Sequence, residues 1–318
     1  MKWRVLISAP YFLPVVEEYR ARLESAGIEI VQVPICERLS ESELLSIIKT
    51  IDATICGDDQ FSEKVLRKAS RLKVISKWGT GIDSIDTKAA AKFGVRVYNT
   101  PNAFTNAVAD TVLGYLLCFA RRLPWMDRDI RSNLWTKPEA VSLDECTLGI
   151  IGVGNIGKAV ARRAAAFGMK IFGMDTAPVC KQFLAETQLK LLSLTELLER
   201  SDFVSLHCDL NATSRHLIGV KELKIMRSSA YLINTARGAV VNESALIEAL
   251  NADEIAGAAL DVFEIEPLPD DSPLRVMSNC LLAPHNANSS LAARRLVHES
   301  TVVNLLKGLG AAEQIRRP

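Results

Sequence analysis

Short apolar runs alternate with stretches of helical spacing along the first hundred residues. The runs that have the length of buried strands are 4–9, 28–33, 52–56, 72–76 and 95–98. Ser40 and Glu43 have the spacing of a helix capping box, and Ser62 and Asp86 stand where the next two helices are expected to begin. Five strands that alternate with helices predict a parallel, doubly wound sheet.

A second series of the same kind begins near Thr147 and predicts a second parallel sheet. Its strand-like runs are 147–152, 169–174, 203–207, 230–234, 255–260 and 280–283. Between the two series, the pattern predicts an apolar helix over 102–121 and then an irregular segment over 122–146, which contains two tryptophans and two prolines. The fold class is therefore α/β, with two doubly wound parallel sheets.

One long amphipathic helix, predicted over 288–307, follows the last strand. A single terminal helix cannot form a domain, so we expect it to pack back on the first sheet. The sequence thus predicts one domain made of residues 1–100 plus 287–318. The second domain, residues 101–286, is inserted within the first.

Composition and charge exclude several classes of protein. The chain has 318 residues, 48% of them hydrophobic and 24% charged, with a formal net charge of +1. This balance is typical of a globular protein and provides no overall basic field for nucleic acid. The longest apolar stretches, such as residues 112–120, are shorter than the ~20 residues of a membrane span. Residues 1–8 have the pattern of a strand, so no signal peptide is expected.

The seven cysteines are scattered, odd in number and include no C-x-x-C pair. This usage predicts reduced thiols in a cytoplasmic protein, and it argues against a zinc site or a disulfide framework. No metal is therefore expected.

A glycine-rich turn follows the first strand of the second series. Residues 148–157 read L-G-I-I-G-V-G-N-I-G, in which Gly152, Gly154 and Gly157 form the pattern G-x-G-x-x-G. These glycines permit a tight turn, close approach of a pyrophosphate, and close packing of strand and helix. The pattern alone is a weak signal, but here an apolar strand precedes it and a helical pattern follows. The segment, including Asn155 and Ile156, therefore predicts a dinucleotide-binding site.

An acidic residue at the end of the next predicted strand indicates which dinucleotide binds. Asp175 lies 18 residues after Gly157, close to the roughly 20 expected for a carboxylate that binds the adenosine ribose. A carboxylate repels a 2′-phosphate, and the next basic residue is Lys181. The sequence therefore favours NAD over NADP.

Further segments carry a family resemblance. They are I-N-T-A-R-G at 233–238, A-L-D-V-F-E-I-E-P-L-P at 259–269, L-A-P-H-N-A-N at 282–288, K-W-G-T-G-I-D-S-I-D at 77–86 and N-A-V-A-D-T at 106–111. Together, in this order, they resemble the D-isomer-specific 2-hydroxyacid dehydrogenase family over essentially the whole chain. The resemblance implies a flavodoxin-like substrate domain and an inserted Rossmann domain that binds NAD.

The resemblance also implies a catalytic arginine, glutamate and histidine, which map onto Arg237, Glu266 and His285. A guanidinium fork can bind the carboxylate of a 2-keto acid. A histidine can exchange the proton that reduction of the carbonyl requires, and a carboxylate fixes its tautomer and stabilises its protonated form. Glutamate at 266, where the formate dehydrogenase branch has glutamine, argues against that branch.

By the same resemblance, the backbone amides of Thr80 and Gly81 take the substrate carboxylate, and Arg237 and His285 also contact the substrate. The residues implied to line the cofactor are Val108, Thr213, Thr235, Ala236, Arg237, Asp261 and His285. For Val108 and Thr213, ordinary packing is an equally good interpretation.

Two of the catalytic candidates also have a plain structural interpretation. Arg237 taken alone fits a surface arginine, and Glu266 lies in an acidic loop where solvated charges are common. Among the other histidines, His207 ends a buried strand and is expected to be packed and hydrogen-bonded. His298 lies on the terminal helix and is expected to be exposed.

Two functions of different classes fit the resemblance. The first is an NAD-dependent dehydrogenase that acts on D-3-phosphoglycerate or on glyoxylate and hydroxypyruvate; the second is an NAD-sensing, corepressor-like binding protein of the same fold. Lys77, beside the predicted substrate loop, fits either a ligand of a substrate phosphate or a solvated lysine. Trp125 and Trp135, in an otherwise polar segment, together with the resemblance, predict a homodimer. The alternative interpretation is that both tryptophans pack within their own subunit.

Overall fold

The computed structural model describes residues 2–311. Within them the strands are β1 (Trp3–Ile7), β2 (Ile28–Gln32), β3 (Ala53–Cys56), β4 (Val74–Lys77), β5 (Arg96–Tyr98), β6 (Thr147–Ile151), β7 (Lys170–Met174), β8 (Lys190–Leu191), β9 (Phe203–Leu206), β10 (Tyr231–Asn234), β11 (Gly257–Leu260) and β12 (Cys280–Leu282). The α-helices are α1 (Val16–Ser25), α2 (Glu41–Ile47), α3 (Glu63–Lys68), α4 (Thr87–Lys92), α5 (Thr105–Arg121), α6 (Leu123–Arg131), α7 (Asn155–Ala166), α8 (Lys181–Thr187), α9 (Leu194–Arg200), α10 (Val220–Ile225), α11 (Glu243–Asn251) and α12 (Leu291–Leu309).

The chain divides into two compact units. Residues up to Phe104 and from Ser290 onward form unit 1, and Thr105–Ser289 forms unit 2. The sheet of unit 1 has the order β2-β1-β3-β4-β5, and every pair in it is parallel. This is the flavodoxin-like order, in which ligands bind at the carboxyl ends of the strands, where the order reverses. The terminal helix α12 belongs to this unit, and Ser76 of β4 donates a buried hydrogen bond to the carbonyl of Thr301 at 2.8 Å.

The sheet of unit 2 has the order β12-β11-β10-β9-β6-β7-β8, again with parallel neighbours throughout. Its order reverses between β6 and β9, as in a Rossmann fold. One apolar layer packs α5, α7 and α8 on the sheet, and another packs α9, α10 and α11 on it. The two doubly wound parallel sheets predicted from the apolar pattern are confirmed. The unit boundaries, after Phe104 and before Ser290, lie a few residues beyond the predicted ones.

Local signals mostly place the helix starts correctly. Ser40 and Glu43 form the reciprocal capping box that their spacing predicts. The side chains of Ser62 and Asp86 accept hydrogen bonds from the backbone three residues on, at the starts of α3 and α4. A bilayer-spanning helix would need a long apolar stretch, and none of the helices in residues 2–311 has one.

Two elements differ from the sequence prediction. The segment 122–146 was expected to be irregular, but it begins with helix α6. Pro124 lies in the first turn of this helix, where a missing N–H breaks no helical hydrogen bond. The short edge strand β8 was also not predicted, because its two exposed residues carry no alternating pattern.

Candidate active site

The glycine-rich turn of unit 2 joins β6 to α7 and depends on two close approaches. Gly152 has a φ of +92°, and a Cβ there would lie 2.6 Å from the backbone nitrogen of Cys208. A Cβ at Gly157 would lie 2.1 Å from the carbonyl oxygen of Gly152. Since both residues are glycines without a Cβ, the backbone can approach this closely, and the turn folds tightly over the first residues of α7. The amino end of this helix then faces the position that a pyrophosphate needs.

Asp175, directly after β7, lies beside this turn. Its Oδ2 accepts a hydrogen bond from the Val153 amide at 2.6 Å, and its Oδ1 accepts one from the Ala177 amide at 2.7 Å. Each carboxylate oxygen can accept a second hydrogen bond, so the side chain retains capacity for ribose hydroxyls. The structure therefore brings Asp175 to the glycine turn, as the spacing in the sequence requires.

The turn after β10 is folded by Asn234, the last residue of that strand. The buried side chain of Asn234 accepts from the Ala236 amide at 3.1 Å and donates to the carbonyl oxygen of Arg237 at 2.9 Å. The Arg237 guanidinium donates to the Ala236 carbonyl at 2.8 Å. Thr235 Oγ1 is buried and has no hydrogen-bond partner among the described residues. Sequence reasoning did not identify Asn234, although a polar residue at the end of a buried strand is a usable signal.

The Arg237 turn packs directly on the segment that leads to Glu266. A Cβ at Gly238 would lie only 1.9 Å from the carbonyl carbon of Phe263, so only glycine permits this approach. The Phe263 amide in turn donates to Glu266 Oε1 at 3.0 Å. Gly238 is thus the contact by which two of the three predicted catalytic loops pack together.

The side chains of Glu266 and His285 lie within ion-pair distance of each other. The distance from His285 Nδ1 to Glu266 Oε2 is 3.0 Å, and the two side chains are 22% and 17% exposed. The carboxylate accepts a hydrogen bond, so Nδ1 carries the proton, and Nε2 is the ring nitrogen suited to exchange a proton with a ligand. Glu266 is therefore not the solvated loop charge of the plain interpretation.

The backbone of His285 is held in an unusual conformation. Its φ is +49°, a left-handed value for a residue with a side chain. The buried carboxylate of Asp261 accepts from the amides of Asn286 at 2.8 Å and Ala287 at 2.9 Å, and the Asp261 carbonyl accepts from the His285 amide at 2.7 Å. Burial raises the pKa of Asp261, and these amides counteract the shift. Predicted only as a cofactor contact, Asp261 also holds the His285 loop.

The remaining predicted site residues lie in plainer surroundings. Val108 is buried in α5, and Thr213 is exposed in a turn where its hydroxyl donates to Asn211 at 2.7 Å. Thr80 and Gly81 follow β4 in unit 1, where Thr80 Oγ1 donates to the carbonyl of Thr100 at 3.0 Å.

The predictions for two other histidines have different outcomes. His207 is hydrogen-bonded to Ser205 through Nε2 at 2.9 Å, and burial lowers its pKa to about 3, so it is a neutral, packed residue as predicted. The expectation that His298 is exposed is wrong. It is only 7% exposed, because the face of α12 that carries it packs on the sheet of unit 1.

Comparison with known proteins identifies the family. The family model described as "D-isomer specific 2-hydroxyacid dehydrogenase, NAD binding domain" matches residues 113–287. This match covers more than half of the chain and includes Arg237, Glu266 and His285. The chain belongs to the D-isomer-specific 2-hydroxyacid dehydrogenase family, and it is an NAD-dependent oxidoreductase that acts on 2-hydroxy acids.

Relatives with assigned activities support this conclusion. A glyoxylate reductase of Thermofilum pendens is 41% identical over 277 residues, covering 84% of this chain and 81% of that protein. A D-3-phosphoglycerate dehydrogenase of Methanocaldococcus jannaschii is 37% identical over 294 residues, covering 91% of this chain but only 54% of that protein. The crystal structure of a D-lactate dehydrogenase of Aquifex aeolicus, complexed with NAD and lactic acid, is 28% identical. It superposes with a TM-score of 0.86, covering 98% of this chain and 97% of that one.

The residues of unit 2 fit the dinucleotide that the family uses. The turn at Gly152 and Gly157 leaves backbone atoms where side chains would block a pyrophosphate. Asp175 has acceptor capacity for a ribose, and Thr235 has a buried hydroxyl without a partner among the described residues. The prediction of NAD as cofactor is confirmed by the family match.

We expect Asp175 to determine the preference for NAD over NADP. Replacing Asp175 with Ser should weaken NADH binding about tenfold and improve NADPH binding, because a carboxylate accepts from ribose hydroxyls but repels a phosphate dianion. Dissociation constants from nucleotide fluorescence measure this directly. Asp270→Ser, which changes an exposed acid, is the matched control and should alter neither constant. Wild-type protein that binds NADPH as tightly as NADH would contradict the assignment.

Proposed function

We propose that this protein reduces small, unphosphorylated 2-keto acids, glyoxylate and hydroxypyruvate, to the corresponding 2-hydroxy acids, and catalyses the reverse oxidation. The observation that carries the proposal is the pairing of His285 Nδ1 with Glu266 Oε2 at 3.0 Å, next to the turn that bears Arg237. A histidine held in one tautomer by a carboxylate is suited to proton exchange near neutral pH.

Each residue of this group has a separate role in the proposed mechanism. The Arg237 guanidinium binds the substrate carboxylate and polarises the adjacent carbonyl oxygen. Protonated His285 gives its Nε2 proton to that oxygen as negative charge develops there, and in the reverse direction neutral His285 accepts the proton from the hydroxyl. Glu266 keeps the proton on Nδ1 and stabilises the charged ring. Bound NADH supplies the hydride for reduction, and NAD accepts it in oxidation.

The surroundings of Lys77 favour an unphosphorylated substrate. Its ammonium lies 3.1 Å from Asp58 Oδ1 and 3.0 Å from the carbonyl oxygen of Trp78, and its side chain is only 5% exposed. Lys77 is therefore not a solvated lysine, and its charge is already balanced by a carboxylate within unit 1. A phosphate would have to compete with Asp58 for this ammonium. Relatives named glyoxylate reductase and hydroxypyruvate reductase agree with the smaller substrates.

Variants of His285 test this function. We expect wild-type protein to oxidise NADH with glyoxylate or hydroxypyruvate, and His285→Gln to lower kcat by about 10²–10⁴, the usual contribution of general acid–base catalysis. NADH binding should survive the change. The measurement is loss of NADH absorbance across a panel of 2-keto acids with and without a phosphate group.

His216→Gln is the matched control for this experiment. His216 is also paired with a glutamate, at 2.7 Å from Glu264 Oε1, and also has a positive φ, of 52°. Its loss should leave kcat unchanged. NADH binding without turnover of any acid would contradict the proposal and favour an NAD-sensing binding protein.

We further propose a homodimer assembled through α6 and the segment that follows it. Five large apolar side chains there are between 46% and 83% exposed: Leu123, Ile130, Leu134, Trp135 and Val141. Exposed apolar groups clustered in one segment are typical of an interface. Trp125 does not belong to this group, because its ring packs on Phe119 and its Nε1 donates to the carbonyl of Ser278 at 2.9 Å. The proposal therefore rests on Trp135 and its neighbours.

Light scattering tests the dimer. We expect the wild-type protein to have twice the chain mass at micromolar concentration, and the double variant Ile130→Asp, Trp135→Ala to have the mass of one chain, because charge at a buried apolar interface opposes association. Val276→Asp changes a single apolar side chain that is 86% exposed, so it should leave the mass unchanged. A monomeric wild-type protein, or a double variant that stays dimeric, would contradict the proposal.

We propose a cytoplasmic location. All seven cysteines have free thiols, including the exposed Cys36 and Cys180. Free surface thiols persist in a reducing compartment, which supports this assignment.

A further inference from the structure

A buried hydrogen bond joins the terminal helix to the residue that precedes the predicted substrate loop. The indole Nε1 of Trp78 donates to Nδ1 of His298 at 3.0 Å. The two residues are only 4% and 7% exposed. Trp78 directly follows β4, and His298 lies near the middle of α12 in the same unit. Neither residue has a role in the reaction described above.

Trp78 is held by its neighbours on the backbone and on the ring. Its amide donates to the Cys56 carbonyl at 2.9 Å, and its carbonyl accepts from the Lys77 ammonium at 3.0 Å. Tyr11 stacks on the indole with the ring centroids 4.9 Å apart. The hydrogen bond to His298 is the polar contact that fixes the orientation of the ring.

The loop that follows Trp78 begins with a backbone conformation that few residue types other than glycine adopt. Gly79 has a φ of +118°, which an L side chain rarely adopts. Its carbonyl accepts from the Thr100 amide at 2.9 Å, and the Thr80 carbonyl accepts from the Asn99 side chain at 2.6 Å. Because Gly79 is bonded directly to Trp78, a change in the indole position that shifts the Trp78 backbone would disturb this arrangement.

We propose that His298 is a positioning residue, which holds the loop at Thr80 and Gly81 in its substrate-binding conformation through Trp78, and which releases it when the imidazole is protonated. The inference rests on the proposed function, in which the amides of this loop bind the carboxylate of the keto acid. It adds a control of substrate binding that is separate from the proton exchange at His285.

The direction of the pH effect follows from the hydrogen bond. Nδ1 accepts from the indole, so the neutral ring carries its proton on Nε2; a second proton, on Nδ1, would place two donors face to face. Burial lowers the pKa of His298 below its usual value. Of the charged groups that act on the ring, Glu18 on α1 favours the protonated form and Arg294 on α12 opposes it. The other rings close to it, Phe12 and Trp78, carry no charge.

The bond is therefore intact at neutral pH and is lost in acid. Because burial lowers the pKa of His298, KM for the keto acid should rise only at a pH below about 6.5, the ordinary pKa of histidine. Reduction by His285 needs the protonated ring, so kcat does not fall in the same range. A rise in KM without a fall in kcat distinguishes His298 from His285.

Two variants of His298 test the inference. Asn can place Oδ1 close to the position of Nδ1, and it accepts a hydrogen bond but does not titrate. His298→Asn should therefore keep the wild-type KM for glyoxylate at neutral pH and lose the rise in acid. His298→Leu removes the acceptor, so KM should rise about tenfold across the pH range, while kcat and NADH binding stay within about twofold of wild type. Trp78→Phe should match His298→Leu, and the double variant should add nothing further.

The outcomes separate this inference from the proposed function. If the wild-type protein turns over neither glyoxylate nor hydroxypyruvate, both are overturned. If it does, but His298→Leu keeps its KM, or His298→Asn retains the acid rise, only the role of His298 is overturned. Thermal unfolding and NADH binding of each variant identify a merely structural effect, which would lower the melting temperature and leave the KM profile of the folded protein unchanged.

Discussion

The backbone of His285 is the constraint on which the candidate active site depends. A left-handed conformation costs a residue with a side chain roughly 1–2 kcal/mol, so it persists only where neighbouring groups impose it. Here the buried carboxylate of Asp261 accepts hydrogen bonds from the backbone amides of Asn286 and Ala287, the two residues after His285. The backbone carbonyl of Asp261 accepts one from the His285 amide. Hydrogen bonds to a charged group contribute about 1.5–3 kcal/mol each, enough to offset the strain. The imidazole is thereby aimed at Glu266.

At other strand ends of unit 2, too, a short polar side chain binds backbone groups and so shapes the adjacent loop. Asn234, at the end of β10, uses its side-chain amide to fold the turn that bears Arg237. Asp175, directly after β7, binds the Val153 amide and so supports the glycine turn. In a parallel sheet the carboxyl ends of the strands lie along one edge, so short polar side chains at those ends can shape adjacent loops. These side chains bind backbone atoms and so fix the turns that bear the longer side chains of Arg237 and His285.

The sequence predicted some levels of this organisation better than others. Buried strands appeared as short apolar runs, and the glycine turn as a fixed spacing, because both are local patterns. The assignment of Arg237, Glu266 and His285 required the family resemblance, because a lone charged residue in a loop has no distinguishing periodicity. Their roles stay predictions, although the structure pairs Glu266 with His285.

Other features depend on tertiary contacts that no local pattern encodes. The buried position of His298 follows from which face of α12 packs on the sheet, and a histidine on an amphipathic helix does not reveal this. The start of α6 was not predicted, although Pro124 lies in its first turn, where a helix tolerates proline. The role of Asn234 in folding the Arg237 turn is visible only when the hydrogen bonds of that turn are known.

The pH dependence of both reaction directions in Glu266→Gln tests the central claim, that Glu266 tunes His285. Removing the carboxylate should destabilise the protonated imidazole. Reduction of a keto acid needs that form, so kcat of the variant should fail at a lower pH than in wild type. Oxidation of the hydroxy acid needs the neutral form, so its rising limb should move in the same acid direction. Profiles of wild type and Glu266→Gln that coincide in both directions would contradict the account.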